Sequence, residues 1–193
     1  TYYKNTNEVN AVDELLTTYD GVNEPYIYKT PKTVNFDGLK ILMLPWICAD
    51  NRDISLQALE QEQADIICGH LEISGFEMHG GHMCTIGLDK KIFRRFETVY
   101  SGHFHKKSDD GQIYYLGAPY EFSWSDYKDQ KGFHVLDTET REVERITEHP
   151  AIDTSPSYSP DGKYICFNSD RSGYQQIYVM RSDGSDVKRI TFG

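Results

Sequence analysis

The sequence predicts an α/β domain, with sheets flanked by helices, followed by a small antiparallel β-meander. Short apolar runs alternate with helical patterns over roughly the first three quarters of the chain, which is typical of a sheet covered by helices. Beyond about residue 149 only short strands separated by turn-forming residues remain. The 193 residues suffice for one domain of ordinary size and a small appendage.

The first elements are a helix and a hairpin. Apolar residues at helical spacing predict a helix over 7–17. Two apolar runs, 33–36 and 39–44, flank Asp37 and Gly38. Asp-Gly between two strand-like runs is a strong signal for a two-residue hairpin turn.

A helix and a strand are expected next. The pattern predicts a helix over 54–62 with Asp53 as its N-cap and Ile54 and Leu59 on its apolar side. A strand over 66–68 follows and leads into His70.

The remaining elements follow from the same signals. Glycines over 75–87, a stretch that carries His79 and His82, predict an exposed loop with both imidazoles in solvent. The further predictions are a short basic helix over 89–96, strands over 98–100 and 112–116, a hairpin of 132–137 with 141–146, and a meander from 156 onward.

Composition narrows the function classes. The formal charge of −10 argues against a sequence-independent electrostatic clamp on nucleic acid, although bound divalent cations can still engage phosphates. No apolar run approaches the roughly 20 residues of a membrane span, and no signal peptide is recognised. The four cysteines form no C-x-x-C pair, and Cys48 and Cys68 are expected to be buried free thiols, as in a reducing cytoplasm.

Two strand ends each deliver a Gly-His pair. Gly69 and His70 follow one apolar run, and Gly102 and His103 follow another, with His105 two positions later. Residues i and i+2 of an extended chain point the same way, so the spacing suits a metal site. The alternative is that these imidazoles only serve as hydrogen-bond partners at strand ends.

The chain carries three elements in order: the Gly-His pair at 69–70, Ser101-Gly102-His103-Phe104-His105, and Tyr115-Leu116-Gly117-Ala118-Pro119. Together they resemble the second half of an SbcD-type DNA nuclease of the calcineurin-like metallophosphoesterase superfamily. The resemblance covers about 1–146. It implies part of a metallophosphoesterase sandwich and hydrolysis of DNA phosphodiesters, in recombination and repair, at a two-metal centre that usually holds manganese. It also implies an SbcC-type ATPase partner and a homodimeric core.

The resemblance assigns His70 and His103 to one ion and His105 to the other. The family's Asp-x-His, Gly-Asp and Gly-Asn-His-Asp elements do not occur in this sequence, and Thr1 would stand just after the last of them. Three neutral imidazoles do not offset the charge of two divalent ions. We therefore expect the chain alone to have little or no nuclease activity.

Several residues near the histidines are candidates for contacts to phosphate or DNA. Lys106 and Lys107 follow the histidines directly, and Gly102 and Gly117 are expected to shape the phosphate pocket. The aromatic residues that follow Pro119 suit either stacking on nucleotides or core and loop packing. These residues are Tyr120, Phe122, Trp124 and Tyr127.

The last segment, 149–193, resembles a single blade of a TolB-type β-propeller. The residues that carry the resemblance are Ser155 to Lys163, Ile177 to Met180, and Arg189 to Thr191. A single blade leaves both sheet edges and one apolar face uncovered. The aromatic residues Tyr158, Tyr164, Phe167 and Tyr178 are expected to fill the space between packed sheets. A noncatalytic scaffold that binds proteins through this blade is the alternative function.

Overall fold

The computed structural model describes residues 27–129 and 131–192. The helix predicted over 7–17 lies outside these residues. The described chain divides into two compact units. The first holds 27–103 and 108–115, and the second holds 104–107 with 116–129 and 131–192. The predicted family boundaries, 1–146 and 149–193, remain predictions.

The first unit is built on a six-stranded mixed sheet. Its strands are β1 (Lys32–Phe36), β2 (Leu39–Leu44), β3 (Ile66–Gly69), β6 (Thr98–Ser101), β7 (Ser108–Asp109) and β8 (Ile113–Tyr115). They lie in the order β1-β2-β3-β6-β8-β7. The pairs β2/β3, β3/β6 and β6/β8 are parallel, whereas β1/β2 and β7/β8 are antiparallel.

The predicted hairpin at Asp37 and Gly38 is confirmed. Both residues have positive φ, 48° and 107°, as a type I′ turn requires. The Asn35 Oδ1 atom accepts a hydrogen bond from the Gly38 N–H at 2.8 Å. The turn therefore follows from local chemistry and sets the pairing of β1 with β2.

One α-helix, α1 (Arg52–Gln61), connects β2 to β3. The prediction that Asp53 caps it is wrong, because the N-cap is Asn51 and Asp53 lies in the first turn. The Asn51 side chain instead accepts from the Cys48 N–H and donates to the Trp46 carbonyl, so it holds the loop that precedes the helix. Ile54, expected on the apolar side, is exposed.

The segment 75–87 is more ordered than the predicted loop. Strands β4 (Glu77–His79) and β5 (His82–Met83) form a short hairpin, and Phe76 and Cys84 on either side of it are buried. His82 is exposed, as predicted. The predicted basic helix at 89–96 is a 3₁₀ turn, Lys90–Phe93, capped by the Asp89 side chain, which accepts from the Lys91 N–H.

The second unit contains a hairpin and a four-stranded antiparallel sheet. The hairpin strands are β9 (His134–Leu136) and β10 (Val143–Arg145), and the sheet strands, in spatial order, are β11 (Asp153–Tyr158), β12 (Tyr164–Ser169), β13 (Gln176–Arg181) and β14 (Lys188–Arg189). The sheet buries Ile165, Phe167, Tyr178 and Met180, which pack against the hairpin. This arrangement confirms the predicted hairpin and meander.

Two burial predictions need correction. Cys48 and Cys68 are half-buried rather than buried, although all four cysteines are free thiols. Burial still raises the pKa of the Cys68 thiol to about 11. Tyr158 and Tyr164 are exposed, since they lie near the turn that joins two strands rather than between packed layers.

None of the helices in the described ranges is both long and apolar enough to cross a bilayer.

Candidate functional site

Three neighbouring parallel strands end at the same edge of the first unit's sheet. Leu44 of β2 pairs with Gly69 of β3, and Gly69 pairs with Ser101 of β6. The segments that follow these strands therefore leave the sheet side by side. The carboxyl ends of parallel strands are where α/β sheets place ligands.

The rings delivered by these three strand ends touch one another. The centroids of His70 and His103 lie 5.2 Å apart in an edge-on arrangement, and Trp46 lies 4.7 Å from His103 and 5.9 Å from His70. The structure thus brings together the two histidines singled out by the Gly-His pattern. Trp46 was not predicted as a site residue, although the Pro-Trp pair that ends β2 was an available signal.

Gly102 permits the close approach of the two histidine segments. A Cβ atom at this position would lie 2.9 Å from Nδ1 of His70, a distance that real Cβ atoms essentially never show. The Gly102 N–H donates to the carbonyl of Gly69 at 3.0 Å, so the backbones stay paired beyond the strand ends. Gly102, which was expected to shape the phosphate pocket, therefore determines how closely the His70 ring can approach the backbone at residue 102.

His103 has an unusual backbone conformation. Its φ is 87°, a backbone conformation that residues other than glycine rarely adopt. This conformation costs on the order of 1 to 3 kcal/mol. The segment after His70 is held in turn by Ser101, whose Oγ atom accepts from the Leu71 N–H at 2.9 Å. A strained histidine fixed beside a second histidine is typical of a functional site.

Glu72 adds a carboxylate that the sequence analysis did not find. Its Oε2 atom lies 4.0 Å from Nε2 of His103, and its Oε1 atom accepts a weak hydrogen bond from the Cys84 thiol at 3.8 Å. A cavity of about 410 Å³ borders the same side chains and is lined by Trp46, Arg52 and Glu72, among others. Trp46 and Glu72 thus border a space large enough for a small ligand, whereas neither His70 nor His103 lines it.

The donor atoms fit only part of a metal centre. Two imidazoles in contact and one nearby carboxylate are suitable ligand types for a divalent ion. However, within 27–129 and 131–192 no group of three or more His, Cys, Asp and Glu side chains is arranged to hold one. The described residues therefore supply a histidine pair rather than a complete ligand set.

His105 belongs to the second unit, where Asp126 orients it. The His105 Nδ1 atom lies 2.9 Å from a carboxylate oxygen of Asp126, which is only 2% exposed. Burial by itself would raise the pKa of Asp126, but hydrogen bonds from His105 and from the N–H groups of Ser123 and Phe122 outweigh it and lower that pKa. This contact leaves Nε2 of the imidazole to meet a ligand, as in metal-binding histidines held by carboxylates.

The aromatic loop, residues 120–127, packs partly on itself but contributes little to the core, so of the predicted core and loop packing only the loop part is confirmed. Trp124 is 91% exposed, and Phe122 and Tyr127 are more than half exposed. Phe122 stacks on Tyr120 with a centroid distance of 4.1 Å and lies 5.2 Å from the His105 ring. The loop therefore presents aromatic faces to solvent beside a histidine.

The other candidates for phosphate contacts are two lysines and a glycine near His105. Lys106 and Lys107 are exposed. Gly117 has a φ of 83°, and a Cβ atom there would lie 3.2 Å from the carbonyl oxygen of His105. That carbonyl also accepts from the Ala118 N–H at 2.9 Å. Gly117 thus allows the chain to fold back against the histidine segment.

The basic cluster over 90–95 is largely used for contacts within the first unit. Lys90 forms a 2.8 Å ion pair with Asp110 and lies 4.0 Å from the centre of the Phe76 ring. Arg95 donates to the carbonyls of Glu60 and Glu62 at the end of α1. These contacts favour a structural role for both side chains.

Comparison with known proteins identifies two different relationships. The chain is 35% identical over 162 residues to Exonuclease subunit 1 of Enterobacteria phage T4, an alignment that covers 84% of this chain and 47% of the phage protein. It is also 36% identical over 90 residues to an uncharacterised protein of Agrobacterium fabrum, which covers 46% of this chain and 28% of that protein. The chain thus spans about half of the phage protein.

The second relationship concerns the carboxy-terminal part. Residues 122–193 match the TolB beta propeller domain family. A segment of 45 residues is 54% identical to the Tol-Pal system protein TolB of Bordetella pertussis, of which it covers 10%. The chain therefore joins a nuclease-like segment to a TolB-type module. The match begins at 122, so it includes the β9/β10 hairpin that packs on the four-stranded sheet.

Proposed function

We propose that this chain is part of a DNA exonuclease subunit and contributes the histidine pair to a site for phosphodiester hydrolysis. The observation that carries the proposal is the contact of His70 and His103 at the ends of two paired parallel strands. The similarity to the phage exonuclease subunit supports the same function. The proposed fold of this portion is part of a metallophosphoesterase sandwich.

In this proposal His70 and His103 bind one divalent ion, manganese by family resemblance, and His105 contributes to a second. The ions would supply Lewis acidity and an activated water to the hydrolysis of DNA. The lack of a side chain at Gly102 leaves room for the His70 ring, and Asp126 fixes the tautomer and direction of His105. Because three imidazole ligands, neutral when they bind metal, do not offset the charge of two divalent ions, we propose that the chain alone binds DNA but does not hydrolyse it appreciably.

The exposed aromatic loop is the proposed contact for DNA. Flat rings that face solvent stack on unpaired bases, and each stacked base contributes about 1 to 3 kcal/mol. Trp124 is the most exposed of these rings. Lys106 and Lys107, both exposed, would reach the phosphates of the same strand.

The finer parts of the proposal rest on family resemblance. They are an SbcC-type ATPase partner, a homodimeric nuclease core, and a role in recombination and repair. The proposed cytoplasmic location rests instead on the free cysteines. None of them is needed to explain the contact between the two histidines.

The proposal is tested by fluorescence anisotropy of a labelled 20-base-pair linear duplex with Mn²⁺ or with EDTA. We expect Mn²⁺ to tighten binding, and we expect the His70→Ala/His103→Ala variant to lose at least tenfold in affinity with Mn²⁺ present. His149→Ala, which removes an exposed histidine of the second unit, serves as the matched control.

Two outcomes would contradict the proposal. If the double histidine variant bound DNA as the unaltered chain does, the histidine pair would have no part in the site. If the purified chain digested linear DNA in a manganese-dependent reaction that His103→Ala abolished, the expectation that the chain by itself is inactive would be wrong.

A second candidate function is a noncatalytic protein contact made by the TolB-type module. It is favoured by the match over 122–193 and by the exposed apolar side chains Ile177, Ile190 and Phe192. This role predicts oligomers that depend on protein concentration and persist after metal is removed. Metal binding that is lost in His103→Ala favours the nuclease function instead.

A further inference from the structure

Tyr115 of β8 reaches across the first unit to the segment that follows β3. It pairs with Ser101 of β6 in the strand register, so the two side chains lie on the same face of the sheet. The Tyr115 side chain is completely buried. Its hydroxyl group donates to the carbonyl of Leu71 at 2.9 Å and accepts from the Ile73 N–H at 3.1 Å. One phenol thus holds the backbone on both sides of residue 72.

This phenol remains a donor at physiological pH. Burial raises the pKa of Tyr115, so the hydroxyl group keeps the proton that it donates to the Leu71 carbonyl. Ser101 adds a third contact to the same segment, because its Oγ atom accepts from the Leu71 N–H at 2.9 Å. Two hydroxyl groups from neighbouring strands therefore hold residues 71–73.

A second segment holds Glu72 from another direction. The carbonyl of Glu72 accepts from the Leu88 N–H at 2.8 Å, and the Ser74 N–H donates to the Leu88 carbonyl at 3.0 Å. Gly87 permits this pairing, since a Cβ atom there would lie 2.7 Å from the Glu72 carbonyl oxygen. The backbone at Glu72 is thus fixed by contacts from β6, β8 and the segment around Leu88.

This fixed backbone determines where the Glu72 carboxylate lies. Its Oε2 atom is 4.0 Å from Nε2 of His103, which is too long for a hydrogen bond, so the carboxylate acts on the ring through its charge. Glu72 and Leu71 also line the cavity that Trp46 borders. A negative charge beside imidazoles that are neutral when they bind metal favours a cation at this position.

We propose that Tyr115 is a positioning residue of the candidate site, and that its hydroxyl group sets the position of the Glu72 carboxylate beside His103. Tyr115 acts through the backbone of 71–73 rather than on a ligand, and Ser101 supports the same segment. The consequence for a bound cation rests on the proposed function. The effect on the His103 ring does not, so the two can be tested separately.

The first test uses ¹H–¹³C NMR spectra of the full 193-residue chain without metal. Glu72→Gln removes the charge beside His103 and should shift the imidazole signals of that ring. Tyr115→Phe, which removes only the hydroxyl group, should shift the same signals, but it should cause no further shift at His103 in the Glu72→Gln variant. The matched control is Tyr114→Phe, which removes the hydroxyl group that donates to the Gly111 carbonyl and should leave His103 unchanged.

A titration with Mn²⁺ provides the second readout. Tyr115→Phe should raise the Mn²⁺ concentration that broadens the His103 signals at least threefold, and it should have no such effect in the Glu72→Gln variant. The melting temperature should fall equally in both backgrounds, because the lost hydrogen bonds are the same. A merely structural role of Tyr115 would produce the loss of stability without the dependence on Glu72.

Three results would overturn the proposal. They are His103 signals that Glu72→Gln leaves unchanged, His103 signals that Tyr115→Phe leaves unchanged, and a Tyr115→Phe shift of equal size with and without the Glu72 carboxylate. Ser101→Ala takes the place of Tyr115→Phe in the same comparison if that variant fails to fold. If the metal-free shifts agree with the prediction but Mn²⁺ does not bind to the unaltered chain, the proposed function fails and the positioning role of Tyr115 is supported.

Discussion

At the scale of single residues, the histidines differ in what fixes them. His103 adopts a strained backbone, and the His70 ring occupies space that the lack of a side chain at Gly102 leaves open. His105 is held by a hydrogen bond to the buried carboxylate of Asp126. A ring held by backbone geometry or by one buried acceptor loses little entropy when it binds a ligand.

His134 allows a prediction about pH. Its pKa is about 4 in the folded chain against an ordinary value of 6.5, so between these values the unfolded state binds more protons than the folded state. The free energy of unfolding should therefore rise with pH from about 4 to 6.5, by at most about 1.4 kcal/mol per pH unit from this group, and the contribution is lost as pH falls.

Urea unfolding of the unaltered chain and of His134→Gln from pH 4 to 8 checks this prediction. The difference between the two free energies should increase with pH up to about 6.5 and be constant above it. His149→Gln, an exposed position, should follow the unaltered chain at every pH. Parallel curves for the unaltered chain and His134→Gln would show that the ring titrates normally in the folded state.

At the scale of elements, the two units depend on different interactions. The first unit's sheet buries Leu42, Ile67 and Val99 of adjacent parallel strands completely. The second unit also contains a buried ion pair, in which Nη2 of Arg171 lies 3.0 and 2.9 Å from the two carboxylate oxygens of Asp153. The guanidinium lies about 5.1 Å from the rings of Phe167 and Tyr178, so it covers the sheet core as well.

Removal of the cation of this pair should destabilise the second unit strongly. Asp153 has no exposed surface, so Arg171→Met leaves a buried carboxylate without its counter-ion, and we expect a loss of about 3 to 5 kcal/mol in the free energy of unfolding. Urea unfolding followed by circular dichroism measures it. Arg181→Met, at an exposed position of β13, is the control. If the Arg171→Met/Asp153→Asn variant were no more stable than Arg171→Met alone, the unpaired charge would not be the cause.

Elements with strong local signals could be predicted from the sequence, whereas those that depend on distant contacts could not. The Asp37-Gly38 turn and the meander follow from local backbone preferences. The N-cap is Asn51 and not Asp53 because the helix begins at Arg52. Its start follows a loop that the Asn51 side chain holds through Cys48 and Trp46, and these contacts are not visible in local sequence. The burial of Cys84 and Phe76 depends on contacts of the short hairpin with the rest of the unit, which glycine content does not reveal.

At the scale of the whole molecule, the chain combines a nuclease-like segment with a TolB-type module. The Gly-His pattern predicted that His70 and His103 meet, because consecutive parallel strands end at one edge of a sheet. Glu72 and Trp46 could not be found this way, since their positions depend on the paths of the loops after those strands.

The most direct test of the account is a titration of the chain with Mn²⁺, followed by the imidazole signals of its seven histidines in ¹H–¹³C NMR spectra. A bound Mn²⁺ ion broadens the signals of nuclei close to it. We predict that His70 and His103 broaden first, at Mn²⁺ concentrations that leave His134 and His149 sharp. Gly102→Ala, whose added Cβ displaces the His70 ring, should raise the concentration required. Equal broadening of all seven signals, or none at His70 and His103, would contradict the account.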